Sequence, residues 1–273
     1  MTAATLHRAT GGLRIIPPEL LAARRPHRMI ERSIMVNRRT WLIIFSGFFE
    51  PLFYLLSIRI GFGELVGDVT VDGQSIPYAE FVAPALMASS AMNGAVYETT
   101  MNVYFKMKHA KLYDSVLSTP MQPADVALGE IGWAVTRGVL YSIAFLVTMW
   151  ALGMVGSPWV VLAVPICVLI GLAFGAIGMA LTTYMRSWAD FEYVSAVTLP
   201  LFLFSATFYP VSSYGNWAWV VQLSPLYHGV ALVRAVNLGQ FDWAMLGHVA
   251  VLASLAAIGL VVASRRIKAL LLP

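Results

Sequence analysis

The sequence predicts an all-α integral membrane protein with six transmembrane helices and cytoplasmic N and C termini. An amphipathic interfacial helix is expected before the first span, and re-entrant helices on the outer side between spans five and six. Three observations predict this. Of 273 residues, 59% are apolar and only 12% are charged, whereas soluble domains run at about 45–50% and roughly a quarter. Too little polar surface remains to coat a water-soluble globule of this size. Six apolar runs each reach the about 20 residues that a helix needs to cross about 30 Å of hydrocarbon. Lysine and arginine gather at alternate ends of those runs.

Residues 1–26 are expected to be irregular, because Pro17, Pro18 and Pro26 break any long helix. The first 40 residues hold eight arginines and no uninterrupted apolar stretch of signal-peptide length, so the run that starts at Trp41 is expected to remain as a helix. From 27 to 39 a helical wheel separates Met29, Ile30, Ser33, Ile34 and Val36 from Arg28, Glu31, Arg32, Arg38 and Arg39. A basic amphipathic helix of this kind lies in the headgroup plane. The spans follow at 41–60, 78–102, 126–152, 159–184, 191–209 and 243–264, within one membrane domain covering 27–273. Gly171, Gly175 and Gly178 in the fourth have the small-residue spacing that lets helices approach closely.

Seven of the eight tryptophans, at 41, 150, 159, 188, 217, 219 and 243, fall near span ends, as an interfacial aromatic belt requires. Orientation comes from the cations. Eight arginines precede the first span; Lys106, Lys108 and Lys111 follow the second, Arg186 the fourth, and Arg265, Arg266 and Lys268 the sixth. By the positive-inside rule these loops and both termini face the cytoplasm. The outer loop 62–77 is short and acidic. The segment 210–242 is too polar to span and too apolar for an ordinary loop. Helices dipping partway into the outer leaflet, with Trp217, Trp219, His228 and Arg234 forming a lid or gate, explain that mixture.

The net charge of +4 belongs to these membrane-flanking clusters and does not indicate nucleic acid. The single cysteine, Cys167, excludes an internal disulfide and a cysteine-built metal site. No phosphate-binding loop, zinc-protease motif or serine-hydrolase elbow occurs, and no metal-ligand set clusters. His109, His228 and His248 belong to different regions and read as isolated structural residues. No cofactor is expected on this chain. Charges inside spans are costly and draw functional suspicion. Glu50 lies midway along the first span. Glu98 and Glu130 are expected at the cytoplasmic interface, within reach of water, with Arg137 two turns beyond Glu130 on the same face. The cytoplasmic stretch 104–123 reads either as a basic membrane-hugging loop or as a docking helix for a soluble partner, displaying Lys108, Lys111, Leu112 and Tyr113.

Several stretches then look familiar. Glu-Pro-Leu-Phe-Tyr-Leu-Leu-Ser at 50–57 with Gly-Phe-Gly at 61–63 resembles the first-span signature of type-2 ABC exporter permeases. The stretch 78–92 resembles the second-span signature. The stretches 113–120, 128–137 and 225–234 are similar to later motifs of the same family. The likeness runs from about residue 30 and is nearest to the nodulation-type lipo-oligosaccharide exporter permeases. It departs at Ala85, where the family often has glycine; alanine stiffens the second span.

The resemblance implies a six-span half-transporter that dimerises with a second copy or a paralogue. It implies two separate ATPase subunits that carry ATP and Mg. It makes 27–40 the interfacial connecting helix and 106–117 the coupling helix, with Lys106, Lys108, His109, Lys111, Leu112, Tyr113 and Asp114 as the ATPase-coupling interface. Spans one, two and five, with Glu50, Asn93 and Ser205, are the expected translocation face for an amphipathic, lipid-linked or drug-like substrate. Two other readings compete. One is a proton-coupled secondary transporter using Glu50 or Glu98. The other is a membrane enzyme acting on lipids, for which no converging acid, base and nucleophile can be assembled.

Overall fold

The computed structural model describes residues 23–38, 49–71 and 73–271, with backbone alone at 50, 51, 63 and 64. Among the described residues, ten α-helices of six residues or more organise it, besides a single turn at Gly63–Val66. They are α1 (Pro26–Asn37), α2 (Phe49–Ser57), α3 (Tyr78–Tyr97), α4 (Leu112–Leu117), α5 (Pro123–Ala151), α6 (Ala163–Thr182), α7 (Phe191–Leu203), α8 (Ala218–Leu223), α9 (Pro225–Leu238) and α10 (Ala244–Leu271). Three helical stretches, Pro123–Ala151, Pro158–Thr182 and Ala244–Leu271, are long and apolar enough to cross a membrane. The chain is a membrane protein, and its described residues are all-α apart from one hairpin.

That hairpin, β1 (Asp68–Val71) and β2 (Gln74–Pro77), replaces the plain loop expected at 62–77. Its antiparallel register pairs Val69 with Ile76 and Val71 with Gln74. Gly73, just before β2, has a φ of +81°, the left-handed backbone that a tight hairpin turn calls for.

The central helix is α3. Phe81, Val82, Ala83, Ala85, Leu86 and Met87 are all buried, so the first half of the helix is enclosed, with α5, α6 and α9 packed against it. Its small residues permit this, and those of α6 act alike: a Cβ at Gly178 would collide with the Thr99 hydroxyl. In the opposite direction, α10 presses on α6 so closely that a Cβ at Gly259 would meet Ala176 at 2.8 Å. The four lysines and arginines at 106, 108, 111 and 186, with those closing α10, mark one end of the bundle, called here the basic end.

At that end α1 docks on α5. Gln122 and Asp125 form a reciprocal capping box at the start of α5, and Pro123 occupies the first turn. The buried Asp125 also accepts the Arg25 backbone N–H at 2.8 Å, which fixes where α1 begins. Met29 and Ile30 then settle onto Gly129 and Gly132. Ile34, Met35 and Val36 remain exposed on another face. The apolar side read from the sequence is therefore divided, half against protein and half outward.

The helix expected over 191–209 is shorter than that range. Helix α7 ends at Leu203 rather than 209, because Ala206 adopts a left-handed φ of +55°. The middle of the non-helical stretch is sealed inside protein, with Ser205, Ala206 and Thr207 fully buried between the exposed Phe204 and Tyr209. Its carbonyls are taken by the Arg234 guanidinium (to Ala206, 2.8 Å) and the Tyr78 hydroxyl (to Phe208, 3.2 Å). Such burial is what irregular backbone at membrane depth requires.

Glycine at 129 is required by the α1–α5 approach, since any Cβ there overlaps Met29 and the Pro26 carbonyl. Gly129→Ala is expected to lower stability by about 1–3 kcal/mol. Gly138→Ala, on the same helix with open space around it, is expected to be neutral or stabilising. Thermal unfolding of the detergent-solubilised variants separates the two.

Candidate functional site

The chain of α3 does not stop at Tyr97. It continues through a π-helical turn, Glu98–Asn102, and a second one, Phe105–His109. Widened turns free backbone carbonyls from their usual partners. Here threonine hydroxyls take them: Thr99 Oγ1 donates to Ala95 O at 2.8 Å and Thr100 Oγ1 to Val96 O at 2.6 Å. The altered pitch brings Glu98 toward α5 and turns Lys106 back inward.

The result is a buried ion cluster. Lys106 Nζ lies 2.7 Å from Glu130 Oε2 and 3.9 Å from Glu98 Oε1. The Arg137 guanidinium pairs with Glu98 through one arm and donates to the Tyr141 hydroxyl at 2.9 Å through the other. Asn102 Nδ2 donates to Glu98 at 2.8 Å, and the Tyr113 hydroxyl donates to Glu130 Oε1 at 3.1 Å. Two carboxylates balance two cations, as burial demands. Burial and the Glu130 carboxylate push the Tyr113 hydroxyl well above its usual range, so it stays a donor. Glu98 and Glu130 are thus not at a watered interface. The π-turns fold Lys106 over them, which hydropathy could not reveal.

Above the cluster opens a cleft of about 780 Å³ between α2, α3, α5 and α7. Arg137 and Tyr141 lie at its foot. Its walls carry Asn93, Tyr97 and Thr198 beside Leu86 and Phe202. A guanidinium at the foot of a half-apolar, half-hydroxylated cleft can orient an amphiphile.

Of the expected translocation residues, Asn93 lines this cleft. Ser205 does not: it is buried behind it, 2.6 Å from the Ser224 hydroxyl. The Glu50 side chain lies outside the described residues. Of the coupling-segment residues, Lys108, His109, Lys111 and Asp114 are exposed and Leu112 is half-buried, whereas Lys106 and Tyr113 face inward to Glu130. Lys111, at a left-handed φ of +45°, reverses the chain into α4. Arg28 and Arg38 are exposed, Arg28 bonding Glu31 at 3.0 Å; Arg32 is half-buried, and Arg39 lies outside the described residues.

The proposed gate residues divide as well. Trp217 and Trp219 are exposed. Arg234 is instead a buried fastening, its guanidinium 3.9 Å above the Phe81 ring and bonded to two carbonyls. His228 and His248, expected apart, meet Nδ1 to Nδ1 at 2.7 Å and join α9 to α10. Asn102 and Tyr141 were missed; each stands four residues after a charged partner, Glu98 and Arg137, a helical spacing that pairs them.

The family model described as ABC-2 type transporter matches residues 27–238. The chain belongs to the ABC-2 type transporter family. It is 32% identical over 194 residues to Nodulation protein J of Rhizobium meliloti (strain 1021), covering 70% of this chain and 72% of the relative. To Nodulation protein J of Rhizobium leguminosarum bv. trifolii it is 31% identical over 192 residues, 70% of this chain and 72% of that one. The Inner membrane transport permease YadH of Escherichia coli (strain K12) is 25% identical over 197 residues, covering 70% and 75%. This ABC-2 protein is an ABC transporter permease, and the matched region includes the whole ion cluster and the cleft.

Removing one partner from the cluster strands a buried charge. Lys106→Met is expected to cost about 3–5 kcal/mol by leaving Glu130 unpaired. Lys106→Met with Glu130→Gln should recover a large part of that loss. A double-mutant cycle on denaturation midpoints measures the coupling.

Proposed function

We propose that this permease is the membrane half of an ATP-driven exporter, recruiting separate ATPase subunits that carry ATP and Mg. The observation that carries this reading is the form of α4. Its inner side is fastened to the membrane core through Tyr113 and Glu130. Its outer side, with Asp114 and Ser115, is exposed at the basic end, as is Lys111 just before it. A helix held rigidly to the bundle and free on one face suits transmission of force from a soluble subunit.

In this reading residues 1–26 precede a six-span domain, 27–273, in the inner membrane, with the basic end and both termini cytoplasmic. The exposed Ile34, Met35 and Val36 of α1 enter the lipid interface beside Arg28 and Arg38. The region 210–242, containing α8 and α9, dips into the outer leaflet. Dimerisation is supported by α7, none of whose residues is buried; Tyr193 is 73% exposed. A second copy or a paralogue would cover that face and close the cleft. The mixed polar and apolar walls suit an amphipathic or lipid-linked cargo, and the similarity to nodulation proteins agrees with a glycolipid. ATP binding by the partners draws the α4 helices together and the cleft opens outward.

The exposed face of α4 gives the test. Lys111→Glu with Ser115→Glu is expected to reduce co-purification of an ATP-hydrolysing subunit from mild detergent by tenfold or more, while the permease keeps its thermal midpoint. Transport that persists without any ATPase and stops when the proton gradient collapses would overturn the reading in favour of proton coupling through Glu50 or Glu98.

A further inference from the structure

The ion cluster is electrically balanced but not symmetrically exposed. Arg137 retains 21% of its side-chain surface and Lys106 22%, whereas Glu98 retains 4% and Glu130 none. Both carboxylates sit behind their cations. Of the charged groups that line the cleft, Glu98 and Arg137, the guanidinium is thus the more accessible. Its Nε–H also has no hydrogen-bond partner among the described residues, an unusual state for a buried donor. Around it the cleft supplies neutral donors and acceptors, Ser90, Asn93, Tyr97 and Thr198, with apolar Leu86 and Phe202 above.

We infer that Arg137 is the anion-recognising residue of the cleft, selecting amphiphiles whose head group carries a phosphate or carboxylate. This rests on the cleft being the exporter's substrate site. A cargo anion competes with Glu98 for the guanidinium, in the charge-assisted geometry that arginine favours. Glu98, once released, has Lys106 only 3.9 Å away. Lys106 then shifts from Glu130, and Glu130 is the group that holds Tyr113 and with it α4. Occupancy of the cleft is in this way reported to the coupling helix, by exchange of partners among the four charges after the cargo brings a further negative charge to their cleft side.

Two probes with one tail and different heads test this: dodecyl phosphate and dodecyl glucoside, titrated into the purified chain in phosphatidylcholine nanodiscs, with empty nanodiscs subtracted. The intact chain is expected to bind the phosphate about tenfold more tightly or better, the worth of one charged hydrogen bond. Arg137→Gln should abolish that ratio and Arg137→Lys retain part of it. Glu98→Gln, which frees the guanidinium, should widen it. Asn93→Asp, on an exposed wall away from the ion pair, should narrow it without loss of folding. Amide exchange across 112–117 should rise with dodecyl phosphate and not with the glucoside.

Equal affinities, absence of binding, or a ratio that survives Arg137→Gln overturns the assignment. Exchange that does not respond to the phosphate overturns the relay to α4. An arginine with a purely structural role would lower the thermal midpoint of Arg137→Gln and leave the ratio intact. No ATPase enters these measurements, so failure of the exporter reading is registered separately, in the co-purification.

Discussion

A charge buried away from water persists only where another charge compensates it, and the arrangement of this permease follows from that constraint at one place. Glu98 on the extension of α3 and Glu130 on α5 would be intolerable singly. With Lys106 and Arg137 they form a neutral set that binds the two helices and the loop between them. The π-turns after Tyr97 exist in the geometry that lets Lys106 return to the cluster, and the threonine hydroxyls at 99 and 100 compensate the carbonyls those turns release. Tyr113 extends the same set into α4. The cleft ends where the cluster begins.

A second fastening operates at the other end of the bundle. Arg234 spans from α9 to the ring and carbonyl of Phe81 on α3 and to the carbonyl of Ala206. It holds the irregular chain after α7 in place, so the guanidiniums of Arg137 and Arg234 have different work. One lies at the edge of a cleft and has a hydrogen to spare; the other is enclosed by backbone. Small residues complete the frame, because Gly129, Gly178 and Gly259 let α1, α3 and α10 approach at distances that a methyl group would forbid.

How much of this was legible in the sequence depended on the kind of interaction. Apolar length located the helices at 78–97, 123–151, 163–182 and 244–271 to within a few residues at most ends, since burial in lipid is a property of composition. The end of α7 was not legible, because it depends on a left-handed alanine and on an arginine arriving from 28 residues away. The hairpin at 68–77 did leave a local trace, Asp-Gly flanked by Val69, Val71 and Ile76, which the acidic reading of that loop passed over. At the site, Glu98, Glu130 and Arg137 were conspicuous as charges in spans. Their partners were not, for Lys106 and Tyr113 are ordinary loop residues until the π-turns redirect them. The meeting of His228 with His248 depends on the packing of α9 against α10, which no spacing in the chain encodes.

The length of α7 has a bearing on the lipid itself. Thirteen helical residues extend about 20 Å, against about 30 Å of hydrocarbon in an ordinary bilayer. Acyl chains alongside a helix of that length would have to compress or splay, at a cost of fractions of a kcal/mol for each ångström of mismatch. A second chain seated on α7, as in the proposed dimer, would remove that cost by taking the place of the lipid. The shortness of one helix is then itself a reason for the permease not to stand alone in a bilayer.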